Sequence, residues 1–275
     1  MRRHGSVASA AGLGVRGHAC WIYGDDLEFT SGAYAFLQDG VDLGQRLLYV
    51  GSGSVQKLRF DLDGLPDVEL LLDDGTLRIM PLELVYDTLG PADPMARLSM
   101  YATATETALQ DGFTGLRVVG DCTALVGDPE QWEQHVRWEA VAERYMARNP
   151  MAALCCYDRR VLPEELLSDL ACVHRSSHAP DCTARFRLYA GRDGLGLAGE
   201  VDGFSAGDLG RLLRLSAPDR GDVALELDQL EFIDHHGVLA IADHARELGR
   251  QGRALKVLGA PRSFDRLAGL LQADL

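Results

Sequence analysis

Long apolar runs are missing from this chain: no stretch approaches the roughly 18 residues that a helix needs to cross a bilayer. Residues 1–15 carry Arg2, Arg3 and His4 without the apolar h-region of a secretory leader. The chain therefore reads as cytoplasmic, with residues 1–16 as a short flexible tail. Lysine is nearly absent, Lys57 and Lys256 alone among 27 basic residues, a usage that fits a GC-rich bacterial genome and reflects codons more than physics. A basic surplus is lacking too: the net charge is −14 at pH 7, with most of the acidic excess ahead of residue 184. That argues against nucleic acid and against an anionic membrane as partners. No Cys-x-x-Cys pair occurs. The expectation that the chain is not an enzyme rests on reading no Gly-x-Ser-x-Gly elbow, no His-Glu-x-x-His pair and no intact P-loop in it.

What is present suffices for two domains: 275 residues against roughly 100–200 per domain, with 47% apolar residues to build cores. The six cysteines, Cys20, Cys122, Cys155, Cys156, Cys172 and Cys182, are most simply buried small hydrophobes. A zinc site is the sharper alternative, because His18 and Cys20 share a face of a strand and Cys155 or His174 could complete the set.

Strands and helices alternate up to about residue 173. Residues 19–23 read as a strand, Asp25 as the cap of a helix with the stripe Phe29, Ala33, Phe36 and Leu37, and Gly40 as its end. Residues 46–50 and 115–120 are nearly all apolar, as in strands buried on both faces of a parallel sheet. Residues 68–72, 77–80 and 152–157 are expected as further strands, with helices over 94–110, 129–148 and 163–173. Such alternation implies βαβ crossovers and a three-layer α/β domain. Residues 175–181 lack apolar periodicity and mark the boundary between a domain over 17–178 and another over 184–275.

The loop Gly51, Ser52, Gly53, Ser54, Val55, Gln56, Lys57, Leu58 sets a lysine in the register of a phosphate-binding loop. Gln56 stands where the second glycine belongs, and Leu58 has no oxygen to offer magnesium. Asp121 could stand for the acidic residue of a partner strand, or be an ordinary strand-terminal carboxylate.

In the C-terminal part, residues 223–228 alternate as a half-buried strand, a turn follows, Leu230, Phe232 and Ile233 re-enter the core, and Asp234 is placed to cap a helix carrying Val238, Leu239, Ile241 and Ala242. This "LEFID, two residues, Gly, apolar helix" pattern resembles the STAS domain of anti-sigma factor antagonists. Gly199, Glu200, Val201 and Asp202, and the segment from Leu255 to Leu271, match that family's corresponding segments in order. The resemblance implies a STAS-like α/β domain whose partner is an anti-sigma factor with a histidine-kinase-like ATPase fold, met by Asp202, Ser205, Asp234, His235, His236 and Gly237. Where that family usually has a phosphorylated Ser or Thr, His235 stands here, so the module is expected to be permanently competent, permanently silent, or sensitive to pH through its imidazoles.

A second resemblance covers about residues 17–178. The segments HACWIYGDDLEF, FLQDGVDL, GLRVVGD, LCCYDRR and ACVH are similar to the MEDS sensory domain, which implies a RecA-like fold with a degenerate P-loop and small-ligand sensing. In open α/β sheets the ligand lies beyond the carboxyl ends of the strands. That implicates Tyr23, Gly51, Ser52, Gly53, Lys57, Asp121, Tyr157, Asp158 and Arg159, with His18 and Cys20 either lining the pocket or core. The expectation is a non-enzymatic regulatory protein, a sensor coupled to an antagonist-like module, with no cofactor assigned, the ligand unknown and homodimerisation open. A metal or redox sensor built from His18, Cys20, Cys155, Cys156 and His174, and a degenerate nucleotide-binding protein, are the alternatives.

Overall fold

The structure is a computed structural model that describes residues 5–87, 94–180, 182, 184–273 and 275. In chain order its elements are β1 (Gly5–Ser6), β2 (His18–Tyr23), α1 (Asp26–Asp42), β3 (Arg46–Gly51), α2 (Val55–Phe60), α3 (Val68–Asp73), β4 (Leu77–Pro81), α4 (Leu82–Asp87) and α5 (Pro94–Gln110). There follow β5 (Leu116–Asp121), α6 (Pro129–Met146), β6 (Met151–Asp158), α7 (Glu164–Cys172), β7 (Ser176–His178), β8 (Phe186–Ala190), β9 (Leu195–Val201), α8 (Ala206–Ser216), β10 (Val223–Ile233), α9 (His235–Arg250), β11 (Leu255–Leu258) and α10 (Arg262–Leu271).

The first seven strands form one all-parallel sheet in the order β1-β7-β2-β6-β5-β3-β4. Side chains on a strand alternate between faces, and both faces of this sheet are covered. Ala19, Trp21 and Tyr23 of β2, with Leu154 and Cys156 of β6, join Phe36, Leu37, Leu58 and Leu71 of α1, α2 and α3. Cys20 and Ile22, with Cys155 and Tyr157, point to the opposite face, where α5, α6 and α7 bring Tyr101, Trp132, Trp138 and Leu170. This even–odd split decides which candidate residues can meet.

Several expectations are corrected. Residues 68–73 form a helix: Val68, Leu71 and Leu72 pack inward while Leu70 is 63% exposed, a spacing of three and four that a strand cannot produce. Helix α1 runs past Gly40 to Asp42, and Gly44, at φ +66, supplies the left-handed stop. Gly40 is instead a packing site, where a Cβ would meet Arg117 Cδ at 2.5 Å. The expected flexible tail is packed from residue 5 onward: β1 pairs with β7, and Val7, Ala10 and Leu13 are buried. Residues 1–4 lie outside the described residues. Finally, the expected turn after residue 228 is two register shifts inside one continuous β10; these re-phase the strand so that Leu230 and Ile233 are buried and Phe232 is 51% exposed.

The C-terminal unit is a mixed sheet of order β11-β10-β9-β8, parallel except for the β8–β9 hairpin, with α8, α9 and α10 covering its buried side chains. It is not separate from the first unit. Helix α6 packs on α8 and β8, and one buried apolar cluster runs from Trp132, Trp138 and Leu170 to Phe186, Leu188, Leu209 and Leu212. Residues 176–178, read as linker, are the strand β7.

Candidate functional site

Three places gather the chemistry-bearing residues. The first is a wholly buried polar cluster between the large sheet and α6. That helix presents His135, Glu139 and Glu143, each four residues from the next and therefore on one stripe, towards His18 of β2 and Cys155 and Tyr157 of β6. His18 bridges two carboxylates, Nε2 to Glu139 Oε2 at 3.0 Å and Nδ1 to Glu143 Oε2 at 2.9 Å. Glu139 Oε1 meets His135 Nε2 at 2.9 Å and accepts from the Tyr157 hydroxyl at 3.2 Å. His174, just past α7, donates through Nδ1 to Leu170 O at 2.7 Å and brings Nε2 to 3.4 Å from Glu139 Oε2. Cys155 Sγ lies 3.6 Å from both His18 Nε2 and Glu139 Oε2.

Burial alone would raise the Glu139 carboxyl, but His174 and His135 beside it hold it well below the usual carboxylate range. The same competition runs for His18, where burial opposes the charge and hydrogen bonds to Glu139 and Glu143 overcome it, pushing it up to about 9. His174 is lowered, first by burial and then by the charge on His18. Cys122 is the more acidic of two facing thiols: the hydrogen bond from Cys155 brings it down to about 7, and the Cys155 thiol is raised correspondingly. Donor atoms of His18, Glu139, Cys155 and His174 all lie within 4.8 Å of one another, as do those of Cys122, His135 and Glu139.

The second place is a groove of about 790 Å³ at the carboxyl ends of β3 and β5. Ser52 and Asp121 line it with the apolar side chains of Val126, Trp132, Leu162 and Leu166, and Arg211 of α8 lines it from the C-terminal unit. Arg211 grips Asp169 with both nitrogens at 2.7 and 2.9 Å and lies over the Trp132 ring at 4.6 Å. Asp121 accepts from the amide and hydroxyl of Thr123 at 3.1 and 2.7 Å, and burial raises its carboxyl.

The third is a surface in the C-terminal unit. Asp234 caps α9, its Oδ1 accepting from His236 N at 2.8 Å and Gly237 N at 3.2 Å. Burial raises that carboxyl, and the Gly237 amide and His236 overcome it, leaving it lowered. Gly237 is fixed by space, since a Cβ there would meet Ile233 Cγ1 at 2.6 Å and Val201 Cγ1 at 2.8 Å. The 202–205 loop adjoins it: a Cβ on Gly203 would lie 3.0 Å from His236 Nδ1. Asp202 accepts from Phe204 N and Ser205 N, and Arg185 pairs with it at 2.5 Å. Phe204, next to Gly203 in this loop, is 89% exposed, and His235 and His236 are exposed as well.

The residues expected around one sensor pocket are thus divided. Ser52 and Asp121 reach the groove. His18 and Tyr157 belong to the buried cluster, and Cys20 lies on that same face of β2. Tyr23 packs against Phe29, Asp158 is held by Arg160, and Arg159 bonds through its backbone amide to Tyr23 O, all at the carboxyl ends of β2 and β6. Gly51 is buried below its loop. Lys57 is exposed and paired with Asp61 at 2.9 Å, and the Gly53 amide is taken by Glu83 at 3.1 Å, so a carboxylate stands where a phosphate-binding loop would offer its amide. Cys156 faces the other side of the sheet from Cys155.

Two signals in the sequence bear on these places. His135, Glu139 and Glu143 form a His-x-x-x-Glu-x-x-x-Glu stripe whose polar side chains on a buried helix face are the usual mark of a site. The expected absence of a Gly-x-Ser-x-Gly elbow is corrected, since Gly203-Phe204-Ser205-Ala206-Gly207 carries that spacing between a strand and a helix. The geometry is not one: Ser205 sits at an unstrained φ of −103, and its hydroxyl is bound to Asp202.

Residues 17–175, more than half the chain, match the family described as MEDS, the MEthanogen/methylotroph, DcmR Sensory domain. The chain belongs to the MEDS family. The matched segment contains the whole buried cluster and every groove residue named above except Arg211, and it supports a regulatory sensor role. Among solved structures, the MEDS chain is similar to flagellar accessory protein FlaH from Methanocaldococcus jannaschii, at 15% identity over 65% of this chain and 74% of that one, with a TM-score of 0.34. A likeness at that score carries no argument about function. No curated protein matches.

Proposed function

We propose that this chain is a non-enzymatic cytoplasmic signalling protein. Its MEDS unit reads a small, largely apolar ligand in the groove, and its STAS-like C-terminal unit answers by meeting an anti-sigma factor of histidine-kinase-like ATPase fold. The observation that carries the reading is that both units wall the groove. Arg211 belongs to α8, and α8 begins beside the 202–205 loop that adjoins His236. A ligand that displaces Arg211 from Asp169 shifts the helix that carries this surface, which is how occupancy in one unit alters the other. The exposed Phe204 beside charged and polar loops is the arrangement of a partner surface with an apolar anchor. His235 stands at the phosphoacceptor position, and an acidic group there copies the charge of a phosphorylated module.

The test is capture on the immobilised full chain from lysate of the native host, with the bound protein identified by mass spectrometry. The expected outcome is an ATPase of histidine-kinase-like fold, bound more weakly by His235→Asp than by His236→Ala. Recovery of no such protein, or equal capture by the two variants, overturns the assignment.

A further inference from the structure

We infer that His18, Glu139, Cys155 and His174 form a site for one tetrahedral divalent metal ion of the zinc class, with ligand atoms His18 Nε2, Glu139 Oε2, Cys155 Sγ and His174 Nε2. The inference goes beyond the sensor reading and stands without it.

Geometry comes first. Zinc bonds of about 2.0–2.1 Å to nitrogen and oxygen and about 2.3 Å to sulfur define a tetrahedron with edges of about 3.3 Å between nitrogen and oxygen and about 3.6 Å between sulfur and either. Cys155 Sγ is 3.6 Å from His18 Nε2 and 3.6 Å from Glu139 Oε2, and His174 Nε2 is 3.4 Å from Glu139 Oε2. A fourth edge, His18 Nε2 to Glu139 Oε2, is 3.0 Å, a hydrogen-bonded contact that opens by a few tenths of an ångström when a metal takes the place of the proton. The last two edges, from His174 to His18 and to Cys155, fall within the 4.8 Å that bounds the donor atoms of all four residues.

The outer contacts complete the case. A histidine ligand characteristically donates its other nitrogen to a carboxylate or a backbone carbonyl. His18 Nδ1 meets Glu143 Oε2 at 2.9 Å, and His174 Nδ1 meets Leu170 O at 2.7 Å. The non-ligating oxygen of Glu139 is held by His135 and Tyr157. Every first ligand other than the thiolate is therefore oriented from behind. His174 Nε2 is buried and makes no hydrogen bond among the described residues, which is wasteful in a proton-only network and natural in a ligand.

Two nitrogens, one carboxylate oxygen and one sulfur suit zinc or cobalt better than magnesium or calcium. Four protein ligands, all buried, describe a closed site with no position for substrate. The ion would pin β2, α6, β6 and the end of α7 together. Binding displaces the thiol proton of Cys155 and the proton between His18 and Glu139, so acid competes with metal.

The experiment uses the full chain expressed in medium supplemented with Zn²⁺ or with Co²⁺. Elemental analysis is expected to give about one ion per chain, and the Zn²⁺ form an X-ray absorption shell of mixed nitrogen, oxygen and sulfur at about 2.0–2.3 Å. The Co²⁺ form is expected to show a thiolate-to-cobalt charge-transfer band, lost in Cys155→Ser and kept in Cys156→Ser, whose thiol faces the other side of the sheet. Glu143→Ala is expected to weaken binding roughly 10–100-fold. A chain without bound metal after supplementation, a shell without sulfur, or a band that survives Cys155→Ser overturns the inference. The absorption shell is read on the unaltered chain, so a variant that fails to fold does not spare it.

Discussion

His244 of α9 is buried, at 3% exposure, and neither ring nitrogen has a hydrogen-bond partner among the described residues. Burial comes first, then Arg214 of α8 and Arg253 ahead of β11, and together they bring it down to about 4 against a weak opposing pull from Glu247. The folded state therefore refuses a proton that the unfolded chain accepts at about 6.5. Stability from this group is full above about 6.5 and falls as the pH drops from there towards about 4. His244→Leu is expected to flatten that slope, read as melting temperature against pH; an unchanged slope would place the acid sensitivity elsewhere. The residue scale was also where the sequence was least legible. Asp234 was read correctly as a cap because a side-chain oxygen at a helix start has one local job. Glu139 was not read at all, because its partners His18, Cys155, Tyr157 and His174 come from distant segments and only the sheet order β2-β6-β5 brings them under α6.

At the scale of elements, periodicity was a good guide where burial was two-sided and a poor one in short apolar runs. Strands β3, β5 and β6 were found because they are apolar on both faces. Helix α3 looks like a strand in the sequence because six residues hold too little periodicity to separate spacings of two from spacings of three and four. The bulges of β10 were invisible for a related reason: a register shift leaves composition unchanged and only re-phases the faces. Contacts between elements were beyond reach of any pattern, and Arg211 is the clearest case. Its fork holds Asp169, whose side chain is 8% exposed, and its plane lies on Trp132. Arg211→Ala strips a nearly buried carboxylate of its partner and is expected to cost about 1–3 kcal/mol in urea unfolding. Arg211→Lys should recover only part of that, since an ammonium cannot make the bidentate contact. A loss under about 0.5 kcal/mol for Arg211→Ala would show that water replaces the guanidinium freely.

The whole molecule departs from the picture of two beads on a linker. The sequence places a boundary at residues 175–181 because apolar periodicity lapses there, yet that lapse cannot say whether the units on either side share a core. Here they do. Leu209 and Leu212 of α8 and Phe186 and Leu188 of β8 belong to the same buried cluster as Trp132, Trp138 and Leu170, and Arg144 of α6 donates to Ser216 O at 2.8 Å. Cutting the chain near residue 184 would uncover this apolar face on both pieces, and uncovered apolar area costs about 25 cal/mol per Å². The intact chain is therefore expected to unfold in a single cooperative transition. Residues 184–275 alone are expected to bind a hydrophobic dye, to associate in solution, or to melt well below the intact protein. Scanning calorimetry of the two forms decides it. Two resolved transitions in the intact chain, one matching a stable isolated fragment, would mean that the shared cluster contributes little and that the groove joins two units able to part.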